Sequence, residues 1–402
     1  MRLDSVPASM LRIDPDKSPG LTRSVDGQAW RLVLTWGCSR KAEQGSSSAL
    51  GPDFRRDERS GGWAALLGVF LLLLSACAPL QQGALRLDGE PAAGFSDNWF
   101  TSFDGAKLGL NTWEPATKPE QGFGPSESEP DTVIIAVHGM NDYAGAFNAA
   151  GAYWSAHGAT VYAYDQRGFG RSPHSGIWPA HELMRKDLAT AVDAARHRHP
   201  GARIAVVGES MGASVAITAF ADDEAPKADV LVLSGPGLRG WGVLPWFYSV
   251  SLWTSAHVRP AWVVVPPKGL NIIPTDNNEK LREMWFDKNV QKQNRIDSVY
   301  GVVSIMEEAD AKISRLPSGV PTLLLYGAKD QIIPPDGLKR AAKKLPGHVK
   351  TAYYTKGYHM LMNDLQAETV WRDVLAFIEQ PSAALPSGSP PLPWTPKPPS
   401  NR

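Results

Sequence analysis

Five residues near the middle of the chain, Gly208-Glu209-Ser210-Met211-Gly212, set one serine between two glycines. A serine hydroxyl is a poor nucleophile at neutral pH. It becomes a good one beside a base that a carboxylate orients. The pentapeptide alone is a weak signal, and its surroundings supply the specificity. An apolar run, Arg203 to Val207, precedes it, and a small-residue stretch with Ala213, Ser214 and Ala216 follows. Strand, glycine-flanked serine, helix is the order a nucleophile elbow requires. The glycines permit a tight turn and close helix–strand packing, which a Cβ would obstruct. The competing reading is a Gly-rich strand–helix junction with no chemistry.

The partners of Ser210 should stand where later strands end, the functional edge of an open α/β sheet. Asp330 follows the apolar run 322–326 in "YGAKDQIIP", and His359 follows the last strand in "TKGYHM". They are the expected acid and base. Competing bases are His348, inside a Pro-Gly turn, and His257. Competing acids are Asp310, Asp336 and Asp364. Either chosen residue could instead be a solvated loop side chain. Acyl transfer also needs two backbone N–H donors aimed at the developing oxyanion. Met211, just after the serine, should give one. The other should come from His138-Gly139-Met140-Asn141, with Met140 favoured. His138 is expected to pack or hydrogen-bond rather than act as base. "DQRGFGRS" (165–172) lacks the spacing of a dinucleotide loop, and Asp165 and Arg167 are expected to brace it.

These residues need a scaffold. Strands are expected at 132–137, 159–165, 203–208, 228–235, 321–327 and 349–355, after a hairpin over 98–115 that turns at Asp104-Gly105. Helices are expected at about 182–198, 211–221, 336–345 and 367–379. Continuous apolar strands alternating with helices predict an α/β fold with a mainly parallel central sheet flanked by helices. Residues 239–316 interrupt the alternation and read as an inserted cap.

The chain has 402 residues, enough for one large domain or two ordinary ones, with 41 basic and 41 acidic side chains. That balance gives no case for nucleic acid as a partner. Cys38 and Cys77 are the only cysteines, which excludes a disulfide framework or a metal cluster of cysteines.

The second cysteine closes "LLGVFLLLLSAC" (66–77), an uncharged run behind Arg55, Arg56 and Arg59. The run has the length of a signal h-region and falls short of the roughly 20 residues of a membrane span. Leu74-Ser75-Ala76-Cys77 resembles the lipobox of bacterial lipoprotein signals, which implies an acylated Cys77 as first mature residue. A short transmembrane anchor is the alternative. The expected organisation is a non-native extension at 1–49, a signal at 50–76 and a tether at 77–96. A hydrolase domain at 97–380 and a Pro-rich, disordered or extended tail at 381–402 follow. The expected location is the periplasmic side of a bacterial cell envelope, with the lipid anchor in the membrane.

"VHGMND", "YDQRGFGRS", "GESMGA", "LLYGAKDQIIPP" and "GYHML" occur in an order that resembles the α/β-hydrolase family over about residues 97–380. The branch they resemble holds monoacylglycerol lipases and lysophospholipases, grouped with serine aminopeptidase-like hydrolases. The resemblance implies Ser210 as nucleophile, Asp330 as acid, His359 as base and the Met140 and Met211 amides as oxyanion donors. It implies no cofactor and no metal. The substrate it implies is a lipid or small ester.

The cap carries Trp241, Trp246, Phe247, Trp253 and Trp262 in a short span. They read as an apolar tunnel or lipid-facing surface, or as packing of the cap onto the sheet. A peptidase remains the alternative, since Glu279, Glu283, Glu307, Glu308 and Asp310 could hold a substrate amine. A non-catalytic lipoprotein is a third reading, which the complete Ser, Asp, His set disfavours.

Overall fold

In the computed structural model, residues 79–85, 92–116, 131–265 and 272–395 are described. Thr132–Val137 reads TVIIAV, and every residue in it is buried. A strand buried on both faces belongs inside a sheet covered on both sides. The strands are β1 (Gly94–Ser96), β2 (Trp99–Thr101), β3 (Lys107–Trp113), β4 (Thr132–Val137), β5 (Ala159–Tyr164) and β6 (Arg203–Glu209). Then come β7 (Val230–Ser234), β8 (Val263–Val264), β9 (Asn294–Arg295), β10 (Thr322–Gly327) and β11 (Lys350–Tyr354). Nine of them form one sheet in the order β1-β2-β3-β5-β4-β6-β7-β10-β11. The first three strands pair antiparallel, as does β3 with β5. The rest pair parallel.

The chain steps outward from β4 to β5, then crosses back to lay β6 on the other side of β4. Such a reversal opens a crevice at the carboxyl ends of the two strands. The loop after β4 and the turn after β6 both lie there.

The helices are α1 (Asn148–Ala156), α2 (His181–Arg198), α3 (Met211–Phe220), α4 (Trp246–Val258), α5 (Asn278–Phe286), α6 (Ile296–Lys312), α7 (Pro335–Ala342) and α8 (Ala367–Glu379). Alternate residues of a strand face opposite sides, and β4 feeds two cores. Ile134 and Ala136 join Phe147, Trp154, Val370 and Val374 under α1 and α8. Val133, Ile135 and Val137 join Leu188, Val192, Ile217 and Ile305 under α2, α3 and α6. Trp154 is fully buried, and its indole N–H donates to the Trp371 carbonyl at 3.0 Å. Truncating such a side chain to Ala costs about 3–5 kcal/mol.

The α/β-hydrolase fold is therefore the architecture. The six strands read from sequence form within two residues of their expected ends, and the hairpin pairs Phe100 with Leu108 as its turn predicts. Helix α1 was not expected. Its sequence, NAAGAYWSA, is mostly small residues with little periodicity.

Three expected boundaries change. The cap insertion ends near residue 295, because Ile305, Met306, Ala309 and Ile313 bring α6 into the main core. The tail is extended but held, not disordered, through residue 395. Tyr353 N–H donates to the Pro390 carbonyl at 2.8 Å, Leu392 is buried, and Trp394 packs edge-on against Tyr353 and Tyr326. Proline-rich chain cannot add a regular strand, yet its carbonyls still accept bonds from β11. The expected tether is also pinned: the Gln82 amide donates to the Ile177 carbonyl at 2.5 Å, and β1 belongs to the sheet. The extension at 1–49, the signal, Cys77 and residues 396–402 lie outside the described residues. No helix among the described residues is long and apolar enough to cross a membrane.

Candidate active site

Ser210 sits between β6 and α3 with φ 54° and ψ −115°. This is a left-handed backbone that a non-glycine residue adopts only at a cost, held here by its neighbours. The flanking glycines show why the turn needs them. A Cβ on Gly208 would stand 2.8 Å from the Ala213 Cα, and one on Gly212 would stand 2.1 Å from the Val137 carbonyl oxygen. The first lets α3 fold back onto β6. The second presses the turn against the end of β4.

Asp330 and His359 come from the loops after β10 and β11. Two backbone bonds lace these loops together, Ala328 N–H to Tyr354 O and Lys329 N–H to Gly357 O, and Gly357 N–H to Tyr354 O tightens the second loop. The Asp330 carboxylate is fixed by both oxygens. Its Oδ1 accepts the Ile332 and Ile333 amides at 2.9 and 2.8 Å, and its Oδ2 meets His359 Nδ1 at 2.7 Å. The carboxylate must accept, so Nδ1 carries the proton and Nε2 keeps its lone pair. Burial works against the His359 imidazolium. Asp330, with Glu209 and Asp364 farther off, outweighs it and raises the pKa above the ordinary histidine value.

One turn, bonded to the Ser210 backbone, lies beside this pair. The Ser210 N–H donates to the Ser234 carbonyl at 2.9 Å, and the Ser210 carbonyl accepts from Gly237 at 3.0 Å. A Cβ on Gly235, inside that turn, would be 3.4 Å from His359 Nδ1. No hydrogen bond joins Ser210 to His359 among the described residues. On the other side, a Cβ on Gly139 would lie 3.2 Å from the Ser210 Cβ, so the loop after β4 borders the serine. Neither the Met140 nor the Met211 amide donates to any group among the described residues. An unpaired N–H at a helix start is suited to receive an anion.

The competing candidates are otherwise engaged. His138 Nε2 accepts the Gln166 amide at 2.8 Å, so its Nδ1–H donates to the Gly139 carbonyl at 2.7 Å. Burial holds its pKa down, and a neutral ring with both nitrogens occupied cannot serve as base. His348 is exposed, and His257 stacks on Trp253 in the cap. Asp310 pairs with Lys344 and Arg340, Asp336 with Arg239, and Asp364 accepts the Tyr358 amide. Asp165 braces the loop as expected, accepting from Ala144 and Arg171. Arg167 instead ties the hairpin turn to α2 through Asp104 and Asp187.

Sequence reasoning missed Glu209. It is buried, its Oε1 has no partner among the described residues, and its pKa is pushed up to about 7 by burial and by Asp142. The available signal was a lone carboxylate ending an apolar strand next to the serine. The cap aromatics also differ from one expected picture. Trp246, Phe247, Trp253 and Trp262 are exposed and do not pack the cap onto the sheet. Trp241 alone is half-buried, bonded to Ser304 and tilted against Tyr300.

A serine on a strained strand–helix turn beside an Asp-oriented histidine is the arrangement of a serine hydrolase of the α/β-hydrolase fold. The family described as "Serine aminopeptidase, S33" matches residues 128–366, more than half of the chain, and the chain belongs to it. A monoacylglycerol lipase of Mycolicibacterium smegmatis is 23% identical over 289 residues, which are 70% of this chain and 96% of the relative. The crystal structure of a monoacylglycerol lipase from Paleococcus ferrophilus aligns with TM-score 0.52 at 22% identity, over 67% of this chain and 98% of that one. A thermostable carboxyl esterase from Bacillus coagulans, in complex with glycerol, aligns with TM-score 0.57 at 20% identity, over 72% and 99%.

Proposed function

We propose that this protein hydrolyses carboxylic esters of lipids, of monoacylglycerol or lysophospholipid type, through an acyl-enzyme on Ser210. The observation that carries the chemistry is the Asp330–His359 pair, 2.7 Å apart, which leaves Nε2 as the basic nitrogen. His359 takes the Ser210 proton as Oγ attacks the ester carbonyl. The Met140 and Met211 amides receive the oxyanion. His359 then gives the proton to the leaving alcohol, and water repeats the cycle on the acyl-enzyme. Asp330 keeps the imidazole in its tautomer and stabilises the imidazolium.

Lipid as substrate is supported by the named activity of the relatives and by the outward aromatic face of α4 and α5. Trp246, Phe247 and Tyr248 on α4, with Trp285 and Phe286 on α5, are all more than half exposed. Large apolar side chains left exposed on these two helices are candidates to meet an apolar partner. The peptidase alternative needs a free acid for a substrate amine. Glu307, Glu308 and Asp310 are held in ion pairs on α6, which leaves Glu279 and Glu283, exposed on α5, as the acids that reading would have to use. The test is kcat/KM on p-nitrophenyl esters from acetyl to palmitoyl and on aminoacyl anilides. A rate rising with chain length supports the reading, and a preference for the anilides rejects it.

The anchor belongs to the same proposal: Cys77 is acylated and holds the domain on the periplasmic side of the envelope. Gln82, pinned to the domain, is five residues from Cys77, a span of at most about 17 Å. Such a leash would keep the domain against its membrane. Cys77→Ser should move the protein from the membrane fraction to the soluble one. An unchanged distribution would speak for a transmembrane anchor.

A further inference from the structure

The segment 272–291, which includes α5, is fastened at both ends to loops of the site. At its start, the Pro274 carbonyl accepts the N–H of Met360, the neighbour of His359, at 3.0 Å. The Ile273 N–H donates to the side chain of Gln331, the neighbour of Asp330, also at 3.0 Å. At its end, the Tyr143 hydroxyl donates to Asp287 Oδ2 at 2.7 Å, and the Gln291 N–H donates to the Asn141 carbonyl at 2.8 Å. The cap thus bridges the loop that follows Met140 and the loops of the acid and the base.

The 140–143 loop needs that support. Asn141, next to Met140, has φ 70°, in the left-handed region, and its side-chain Oδ1 has no partner among the described residues. A residue held there stays only while its surroundings over-determine it. On the sheet side the loop is caught just past its end, where Ala144 N–H meets Asp165 Oδ1 at 2.9 Å. Between Met140 and Tyr143, the hydrogen bonds to other elements come from the cap, while Met140 and Tyr143 also pack on the core and Arg171 lies over the Tyr143 ring. Asp287 is itself fixed, since its Oδ1 accepts the Asn289 amide at 2.8 Å.

We propose that Tyr143 and Asp287 are positioning residues: their hydroxyl–carboxylate bond fastens the cap to the 140–143 loop and holds the Met140 amide where the oxyanion forms. The inference rests on the Ser210 mechanism and adds to it a role for the cap beyond contact with substrate. An oxyanion donor displaced by a fraction of an ångström loses transition-state stabilisation and leaves ground-state binding intact. Loss of the bond therefore lowers kcat and leaves KM nearly unchanged.

The test uses the purified protein and a short, soluble ester, with thermal unfolding of each variant. Tyr143→Phe removes one hydroxyl and keeps the ring, and should lower kcat about tenfold or more with KM within about twofold. Asp287→Ala should match it. Asp287→Asn, whose oxygen can keep the Asn289 amide while its NH2 donates to the tyrosine hydroxyl, should keep most of kcat. The double variant Tyr143→Phe/Asp287→Ala should be little worse than either single one. Wild-type kcat in Tyr143→Phe overturns the proposal, as does Asp287→Asn falling as far as Asp287→Ala. Should Tyr143→Phe not fold, the Asp287 pair decides alone. Ser210→Ala, run alongside, separates the two levels. If it is inactive while Tyr143→Phe equals wild type, only the positioning role fails. If it retains turnover, the mechanism beneath fails.

Discussion

The strand ends and the cap of this molecule obey opposite rules of burial. Ser210, Asp330 and His359 are 8%, 6% and 5% exposed, yet all three are polar. Trp246 and Phe286 in the cap are 77% and 75% exposed, yet both are apolar. At the strand ends, burial is tolerated because backbone amides and one imidazole–carboxylate hydrogen bond fix the groups, and that fixity is what chemistry needs. In the cap, exposure leaves apolar area in water at about 25 cal/mol per Å². A surface that forgoes such burial gains it back by meeting an apolar partner. Reaction and recognition are thus divided between a rigid edge and an outward face, joined by the ties at 273–274 and 287–291.

The comparison breaks first at the rigid edge. Asp330→Asn keeps the shape of the acid but favours the wrong imidazole tautomer, and should lower kcat by about four orders of magnitude. Steady-state kinetics on a soluble ester measures it, and a loss under tenfold would remove Asp330 from its role. Glu209→Gln should act in the other direction, on stability. A carboxyl whose pKa rises from 4.5 to about 7 on folding favours the native state while protonated. That advantage is lost as pH climbs from the unfolded to the folded value, so ionisation destabilises the fold above it. At about 1.36 kcal/mol per unit, the neutral amide should stabilise the protein by roughly 3 kcal/mol at pH 8 and by little at pH 4. Denaturant titrations at both values check this, and equal differences at both would refute it.

A smaller effect is expected from the outward face. Trp246→Ala should lower turnover of long-chain monoacylglycerol presented in vesicles by about tenfold, the size of losing one buried aromatic contact. Its rate on a soluble acetyl ester should stay at the wild-type level. Equal losses on both would make Trp246 a structural residue. The smallest effect is on pH dependence. His359 must be neutral to accept a proton, and its pKa is raised. Activity should therefore fall as pH drops, with a midpoint above the usual 6.5. Glu209→Gln removes an anion near the imidazole and should move that midpoint down by a fraction of a unit. A pH–rate profile unchanged by the substitution would uncouple the two groups.

How much of this was legible in the sequence follows the same division. Strands such as TVIIAV and PTLLLYG announce themselves because both faces are buried and no polar residue interrupts them. The elbow and the two later loops were readable because glycine spacing and strand ends constrain chemistry locally. Helix α1 was missed because NAAGAYWSA has no apolar period to detect. The tail's attachment was not legible because proline content signals a broken strand, and nothing local reveals that Leu392 is buried and Trp394 packs on β11. The two aspects of the cap were separable only in three dimensions. Apolar periodicity cannot distinguish Ile305, which packs on the core, from Phe247, which faces outward. The bond from Tyr143 to Asp287 spans 144 positions and leaves no trace in either neighbourhood.

The central claim, that Ser210 is the nucleophile, is tested most directly by trapping it. A fluorophosphonate should label the wild-type protein once, with the adduct mapped to the peptide that carries Gly208-Glu209-Ser210-Met211-Gly212, and should leave Ser210→Ala unlabelled. An adduct on another residue, or labelling of Ser210→Ala at the wild-type rate, would contradict the account.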